Sequence, residues 1–205
     1  MTRHPTRSRA PYILAYLGLH AVATVFWYAT VGRKYPDLAH ERLHPGPGAK
    51  DSLRGALALM LPVMLAHYLL AALDVRRLHW TDTVSPRGQV AGLGGLALAI
   101  GVSIWATWVN PFFSSVVRIQ RDRGHHLVTD GPYRYLRHPT YTAAILYFVS
   151  SGLALGSWLS LLPLPAWIAF LLHRTRLEDR VLQDELEGYQ DYARRVRYRL
   201  LPGVW

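Results

Sequence analysis

The chain has 205 residues, a length typical of one domain. It contains no cysteine, which excludes disulfides, thiolate nucleophiles and cysteine-bound metals. Hydrophobic residues make up 51% of the chain, and the net charge of +10 is concentrated between apolar stretches. Because the basic residues flank these stretches and form no separate patch, we predict no nucleic-acid partner.

Four long stretches lack Asp, Glu, Lys and Arg, namely residues 11–31, 56–73, 90–109 and 141–172. About 20 helical residues cross a hydrocarbon core of ~30 Å, so the first three stretches predict one span each. The fourth is too long for one span, and Gly156 and Ser157 at its middle predict a turn. We therefore predict a helical hairpin over 141–155 and 158–172, with arms of about 23 Å.

The third predicted span is rich in glycine, including Gly92, Gly94 and Gly95. A similar Gly-x-Gly-Gly pattern occurs in dinucleotide-binding loops, but those follow a strand, and this one lies inside an apolar run. We interpret the glycines as sites of close helix packing, either within the chain or against another copy. The oligomeric state is not predicted.

Two polar segments flank the hairpin. Residues 110–140 form a loop rich in Arg and His, and apolar residues recur at helical spacing over 173–199. The second segment predicts an amphipathic tail helix, with Gly188 a residue that can interrupt it. The expected fold is an all-α integral membrane protein with about five transmembrane helices. Residues 1–109 form an N-terminal membrane region with three spans, and 110–205 form a cofactor-binding and catalytic region.

The distribution of basic residues predicts the orientation. With five spans, the loop after span 1, the loop after span 3 and the tail share one side and hold 17 Lys and Arg, against 6 on the other side. The positive-inside rule places the 17 in the cytoplasm and the N-terminus outside. Arg outnumbers Lys 21 to 2, which suggests a GC-rich genome and a bacterial inner membrane.

Ionisable residues at the edge of a span are functional candidates by default. Both polar segments lie at the same mouth of the hairpin, so Arg137, His138, Arg174 and Glu178 can converge there. Arg174 and Glu178 are four residues apart and share a helix face, although a surface ion pair also explains that spacing. No metal site is predicted, because His125 and His126 lack the partner that a di-iron repeat requires.

The two segments resemble the isoprenylcysteine carboxyl methyltransferase family, integral membrane enzymes related to phospholipid N-methyltransferases. The first motif is H-x-L-V-x-x-G-x-Y-x-x-x-R-H-P-x-Y over residues 125–141, and the second is R-x-x-x-E over 174–178, followed by an acidic residue and a Tyr-rich helix. The resemblance covers about residues 110–205. This sequence has Asp179 where the family usually has Glu.

The resemblance implies a site for S-adenosylmethionine without a Rossmann fold. The implied cofactor-binding residues are Gln120, His125, Leu127, Val128, Tyr133, His138, Pro139, Thr140, Tyr141 and Glu178. The implied catalytic residues are Arg174, which would face the acceptor, and Glu178. The expected activity is methyl transfer to a lipophilic carboxylate, amine or thiol delivered from the lipid bilayer.

Two other functions remain open from the sequence. Membrane sterol reductases that use NADPH share an Arg-His-Pro motif and an R-x-x-P ending like that of residues 199–202, but they are much longer. A non-catalytic membrane scaffold would bind no cofactor. The preference for S-adenosylmethionine or NADPH distinguishes the three functions.

Overall fold

The computed structural model describes residues 9–205, which form seven α-helices and no strand. The predicted all-α fold is confirmed for this range, whereas the basic residues Arg3 and Arg7 lie outside it. The helices are α1 (Ala10–Trp27), α2 (Pro36–Leu43), α3 (Leu53–Leu73), α4 (Pro86–Val109), α5 (Pro139–Leu155), α6 (Leu164–Glu185) and α7 (Tyr189–Arg195). A π-helical turn extends α1 to Gly32, and another extends α3 to Leu78.

Three helical stretches are long and apolar enough to cross a membrane: Ala10–Gly32, Leu53–Leu78 and Pro86–Val109. They coincide with the first three predicted spans. Many of their aliphatic side chains point away from the protein, as for Val25, which is 69% exposed. Such surfaces suit hydrocarbon rather than water, so these helices indicate an integral membrane protein.

The predicted hairpin is present, but its second arm differs from the prediction. Helix α5 ends at Leu155, and Gly156 adopts the left-handed conformation (φ 84°) that closes a helix. The second arm begins only at Leu164, after a short 3₁₀ turn, and then continues without a break to Glu185. The predicted boundary at residue 172 is wrong because the charged residues that follow also favour helix.

The tail is likewise not one helix over 173–199. Helix α6 ends at Glu185, and Gly188 (φ 77°) redirects the chain into the short α7. Residues after Arg195 are irregular and pack back onto the start of α5. The short α5 and the apolar half of α6 are the candidates for the last two of the five predicted spans, and that number stays a prediction.

Contacts between helix ends show which ends lie at the same face of the molecule. The guanidinium of Arg9, before α1, donates to the Gly156 carbonyl at 2.9 Å, so the start of α1 lies beside the hairpin turn. At the other face, Lys34 after α1 donates to the carbonyl of Trp108 at the end of α4. Helices α1 and α4 therefore run in the same direction.

Two glycines of α4 allow α5 to pack closely against it. A Cβ on Gly92 would lie 2.5 Å from the backbone nitrogen of Ala154, and one on Gly95 would overlap Ser150. In contrast, a Cβ on Gly94 would meet no atom within 4 Å. Close helix packing within the chain therefore accounts for Gly92 and Gly95.

We predict that Gly92→Ala lowers the melting temperature of the detergent-purified protein by several degrees, because the backbones of α4 and α5 must separate. Gly94→Ala is the matched control and should melt within about 1 °C of the wild type or slightly above it, because alanine favours helix. Thermal unfolding followed by circular dichroism measures both. Equal melting temperatures for the two variants would contradict the packing of α5 on α4.

Candidate functional site

A cavity lies where the 110–138 loop meets the start of α5 and the charged half of α6. Seven of the ten residues predicted to bind cofactor line it: His125, Leu127, Val128, Tyr133, His138, Thr140 and Glu178. The structure therefore brings the two sequence motifs together, as the hairpin geometry predicted. Their roles remain predictions at this stage.

The other predicted residues do not line this cavity. Gln120 is fully buried and donates through Nε2 to the Phe112 carbonyl at 2.5 Å, so its side chain holds the loop together. Pro139 is buried at the first turn of α5. Tyr141 and Arg174 lie behind the cavity wall. Tyr141 donates to Glu178, and Arg174 donates to Tyr141.

Asp179, beside the cavity, is 1% exposed and heavily hydrogen-bonded. Its carboxylate accepts from five side chains, which come from the motif loop, α6, the start of α7 and the irregular tail: Arg137 (2.6 Å), His138 (3.4 Å), Gln183 (2.8 Å), Tyr189 (2.9 Å) and Arg199 (2.8 Å). Burial alone raises a carboxyl pKa, but the donors and the Arg137 charge outweigh it and hold the pKa of Asp179 well below its usual range.

The tail also fixes the motif loop through its backbone. The N–H groups of Arg137 and His138 donate to the carbonyls of Tyr198 and Arg199 at 3.0 and 2.9 Å. Because Arg199 also binds Asp179 through Nε, the ending that resembles sterol reductases serves here to hold the Arg-His-Pro segment. The packing of this segment explains the ending without an NADPH site.

Glu178 is the carboxylate that reaches the cavity, with 34% of its side chain exposed. Its Oε2 accepts from the Tyr141 hydroxyl at 2.7 Å, and the same hydroxyl accepts from Arg174 Nε at 3.3 Å. Glu178 and Arg174 are thus coupled through Tyr141 instead of forming a surface ion pair. His138 lies 4.0 Å from the carboxylate of Glu178, beyond hydrogen-bond range.

The N-terminal half of the chain contributes a residue that the sequence did not reveal. Asp51 accepts from Arg174 Nη1 at 2.9 Å and from the backbone N–H of Val117 at 2.7 Å. Lys50 reinforces this contact, because its N–H donates to the Val117 carbonyl at 2.8 Å. The residues around Val117 line the cavity, so the loop before α3 positions both the cavity wall and Arg174.

A second ion-pair cluster attaches α2 to the same wall. Arg118 is buried and binds the carboxylate of Glu41 through two hydrogen bonds of 2.9 and 2.8 Å. It also binds Asp122 within its own loop at 2.8 Å. These contacts raise the pKa of Arg118, mainly through the hydrogen bond to Glu41. The cation is therefore permanent and fixed in place at the cavity wall.

His125 is held as a neutral ring at the cavity. It stacks on Phe112 with ring centroids 4.5 Å apart, and its Nδ1 accepts the backbone N–H of Gln120 at 3.1 Å. Burial lowers the pKa of His125 to about 4, and the adjacent His126 and arginines add to the effect. A flat apolar surface formed by this ring and Phe112 is thus available at neutral pH.

A hydrogen-bonded group of polar and aromatic residues closes the cavity at the end of α4. Asn110 donates to the Tyr133 hydroxyl at 3.0 Å, and the Tyr192 hydroxyl donates to the Tyr133 carbonyl at 2.7 Å. Burial raises the pKa of Tyr133 and Tyr192 well above the usual range, so both remain neutral phenols. The sequence showed Tyr192 as part of a Tyr-rich helix, but nothing local marked Asn110.

A second and larger cavity adjoins the first. It has a volume of about 560 Å³, lies between α1, α2, α4 and α5, and shares Phe113 and Thr140 with the first cavity. The first cavity is much smaller, with a volume of about 70 Å³. A nucleoside cofactor therefore requires lining side chains to move outward.

The described residues contain no group of three or more His, Cys, Asp and Glu with metal-binding geometry. His40 and His44 stack on each other on α2, with ring centroids 5.0 Å apart.

Comparison with known proteins shows which families this region resembles. Residues 88–187 match the family model described as phospholipid methyltransferase. The chain is 33% identical over 86 residues to a Protein-S-isoprenylcysteine O-methyltransferase of Schizosaccharomyces pombe (41% of this chain, 36% of that protein). It is 30% identical over 94 residues to its counterpart from Dictyostelium discoideum (45% and 39%).

Residues 88–187, just under half of the chain, are thus similar to the phospholipid methyltransferase family model. The resemblance to isoprenylcysteine carboxyl methyltransferases, predicted from the two motifs, is confirmed. A longer match, 30% identical over 132 residues, joins the chain to the Cobalt-zinc-cadmium resistance protein CzcN of Cupriavidus metallidurans (63% of this chain, 56% of that protein). The chain spans less than half the length of the isoprenylcysteine methyltransferases that it matches.

We predict that Asp179→Asn destabilises the region around the cavity strongly, because Arg137 would keep its buried charge without a counter-charge. Removing one partner of a buried ion pair costs roughly 3–5 kcal/mol, so the melting temperature should fall by many degrees. Asp184→Asn, on the exposed face of the same helix, is the matched control and should change little. A small effect at both positions would show that Asp179 does not hold the site together.

Proposed function

We propose that the chain is a membrane-embedded methyltransferase that uses S-adenosylmethionine and methylates a lipophilic acceptor. The observation that carries the proposal is the junction of two cavities at Thr140 and Phe113. One is built from the polar motif residues, and the other lies between apolar helices. Such a junction suits a reaction between a water-soluble donor and a lipid-soluble acceptor.

The charged groups of the smaller cavity match the charges of the cofactor. Arg137 lines the cavity, and its Nε–H is a buried donor without a partner among residues 9–205. A buried donor left unpaired costs free energy, so a ligand carboxylate that accepts from it is favoured. We assign Arg137 to the cofactor carboxylate, Glu178 to its ammonium or sulfonium charge, and the Phe112–His125 surface to its adenine.

When bound, the cofactor supplies an electrophilic methyl group on a sulfonium, which an in-line nucleophile displaces. The residues of this chain then have to hold the two reactants in attack geometry, which can contribute several kcal/mol. Tyr141 and Arg174 orient Glu178 through the contacts described above. Because Arg174 lies behind the cavity wall, we assign it to positioning Glu178 and not to direct contact with the acceptor.

The acceptor enters from the bilayer in this proposal. The 560 Å³ cavity lies within the range typical of small-molecule sites and is lined mainly by side chains of the candidate spans α1 and α4. The relatives from Schizosaccharomyces pombe and Dictyostelium discoideum are named O-methyltransferases of S-isoprenylcysteine. A carboxylate acceptor needs no general base, whereas an amine or thiol would require Glu178 or His138 to take its proton.

We further propose that the site faces the cytoplasm of a bacterial inner membrane, with the N-terminus outside. The loops and tail that build the cavities carry most of the basic residues, which favours the cytoplasmic side. The division into an N-terminal membrane region and a catalytic region over 110–205 needs one refinement. Asp51 and Glu41, from the first region, hold the wall of the catalytic cavity.

The direct test is methyl transfer from tritiated S-adenosylmethionine, with N-acetyl-S-farnesylcysteine and a host lipid extract as acceptors. We predict that Glu178→Gln lowers kcat/KM for the cofactor by about 10- to 100-fold, the loss of one charge-assisted contact. Glu187→Gln, at an exposed position just beyond α6, should retain wild-type activity. Full turnover by Glu178→Gln would overturn the assignment of Glu178.

A further inference from the structure

The larger cavity contains one permanently charged side chain, the guanidinium of Arg42 on α2. The other side chains that line it are apolar, aromatic or hydroxyl-bearing, apart from His20, and no Asp or Glu of the described residues is among them. A charge beside apolar helices is costly and marks a functional position by default. The side chain of Arg42 has no role in the smaller cavity, which it does not line.

Three arginines at the smaller cavity show how this fold usually accommodates such a charge. Each is buried and has a carboxylate partner within 3 Å: Arg118 with Glu41, Arg137 with Asp179, and Arg174 with Asp51. Arg42 differs, because its guanidinium makes no hydrogen bond or ion pair with any of residues 9–205. The adjacent Glu41 cannot serve, since both of its carboxylate oxygens already accept from Arg118.

The contacts that Arg42 does make leave its charge without a counter-ion. Its guanidinium lies 4.6 Å from the ring centre of Phe113, and this cation–π contact offsets part of the cost of burial. A ring supplies no oxygen or nitrogen acceptor for the N–H groups. Burial lowers the pKa of Arg42, and only the neighbouring Tyr28 phenol opposes the shift. An arginine stays protonated at neutral pH all the same, so the half-buried cation requires an anion.

The backbone around Arg42 holds this cation at a fixed place. The Ser115 hydroxyl donates to the Arg42 carbonyl at 2.6 Å, and the contact of Glu41 with Arg118 fixes the same turn of α2. Phe113, which the guanidinium covers, lines both cavities. The charge therefore lies beside the junction of the two cavities.

Hydroxyl groups of the same cavity add further donors. Thr24, Tyr28 and Ser103 line it, and their hydroxyls make no hydrogen bond within the part of the chain that the structure describes. A carboxylate or phosphate has several acceptor oxygens, so it can accept from a guanidinium and from hydroxyls together. The cavity thus combines a cation and additional donors with apolar walls, and no carboxylate of residues 9–205 lines it to repel an anion.

We propose that the larger cavity binds lipophiles that carry one anionic group, a carboxylate or a phosphate, and that Arg42 holds this group beside Phe113. The apolar side chains of α1 and α4 then surround the hydrocarbon part of the ligand. If methyl transfer occurs at the junction, as the proposed function requires, the acceptor is an anionic lipophile. An amine, which is a cation at neutral pH, would be repelled by Arg42.

The test titrates the full chain in one uncharged detergent, without S-adenosylmethionine, at about pH 8.5, where carboxyl groups are ionised. The probes are dodecanoate, dodecyl phosphate and 1-dodecanol, which share their chain length and differ in charge. Calorimetry gives the ratio of the affinity for each anion to the affinity for the alcohol. Partitioning into the micelle cancels when this ratio is compared between proteins. Failure of both anions to bind to the wild type would overturn the proposal.

Variants of Arg42 then test the assigned contact. Arg42→Gln should lower the ratio about 10- to 100-fold for at least one anion, the loss of one charge-assisted contact. The anion with the larger loss identifies the group, carboxylate or phosphate, that the cavity accepts. Arg42→Met should show the same loss and replaces Arg42→Gln if that variant does not fold. Arg42→Lys keeps the charge and should retain most of the preference for the anion.

The matched control is Arg33→Gln, which removes the same charge from an exposed position just after α1, outside both cavities. It should keep the wild-type ratio. An unchanged ratio in a folded, uncharged Arg42 variant, or an equal fall in Arg33→Gln, would refute the role of Arg42.

The titrations contain no cofactor, so a negative result leaves the methyltransferase proposal standing. Conversely, a protein without methyltransferase activity can still distinguish the anions from the alcohol. The two proposals therefore fail separately.

Discussion

The site depends on the buried carboxylate of Asp179. It accepts hydrogen bonds from the Arg-His-Pro segment, from α6 and α7, and from Arg199 in the tail. A buried carboxylate is stable only when donors and opposite charge replace its water. Because these donors come from segments far apart in sequence, satisfying one charge forces the two motifs and the tail into a single geometry. The methyltransferases that the motifs resemble usually have Glu here, and the shorter Asp still reaches all of its partners.

Residues 110–205 do not form the smaller cavity and its supporting contacts alone. Asp51 holds Arg174, and Arg174 orients Tyr141 and Glu178, so the loop before α3 is coupled to the cavity through three contacts. On the other side of the wall, Glu41 of α2 holds Arg118. The larger cavity also requires α1 and α2. The N-terminal helices therefore help to form both cavities.

The sequence predicted the features that depend on local composition. Uncharged runs defined the first three spans, Gly156 marked the hairpin turn, and the hairpin then implied that the motifs converge. The sequence did not predict the features that depend on contacts between residues far apart in the chain. Asp51 and Asn110 carry no local signal, because each acts on a partner far along the chain. The charge change at residue 173 suggested a new helix, although helix propensity continues across it. Gln120 fitted the motif region, yet its amide is engaged by its own loop.

The most direct test of the account is calorimetric titration of the detergent-purified protein with S-adenosylmethionine, with NADPH titrated in parallel. We predict saturable binding of S-adenosylmethionine and none of NADPH, because the cavity is lined by the Glu178 carboxylate, by Arg137, whose buried Nε–H has no partner among residues 9–205, and by a flat apolar surface. Binding of NADPH alone, or of neither compound by a folded protein, would contradict the assignment of this cavity to a methyl donor.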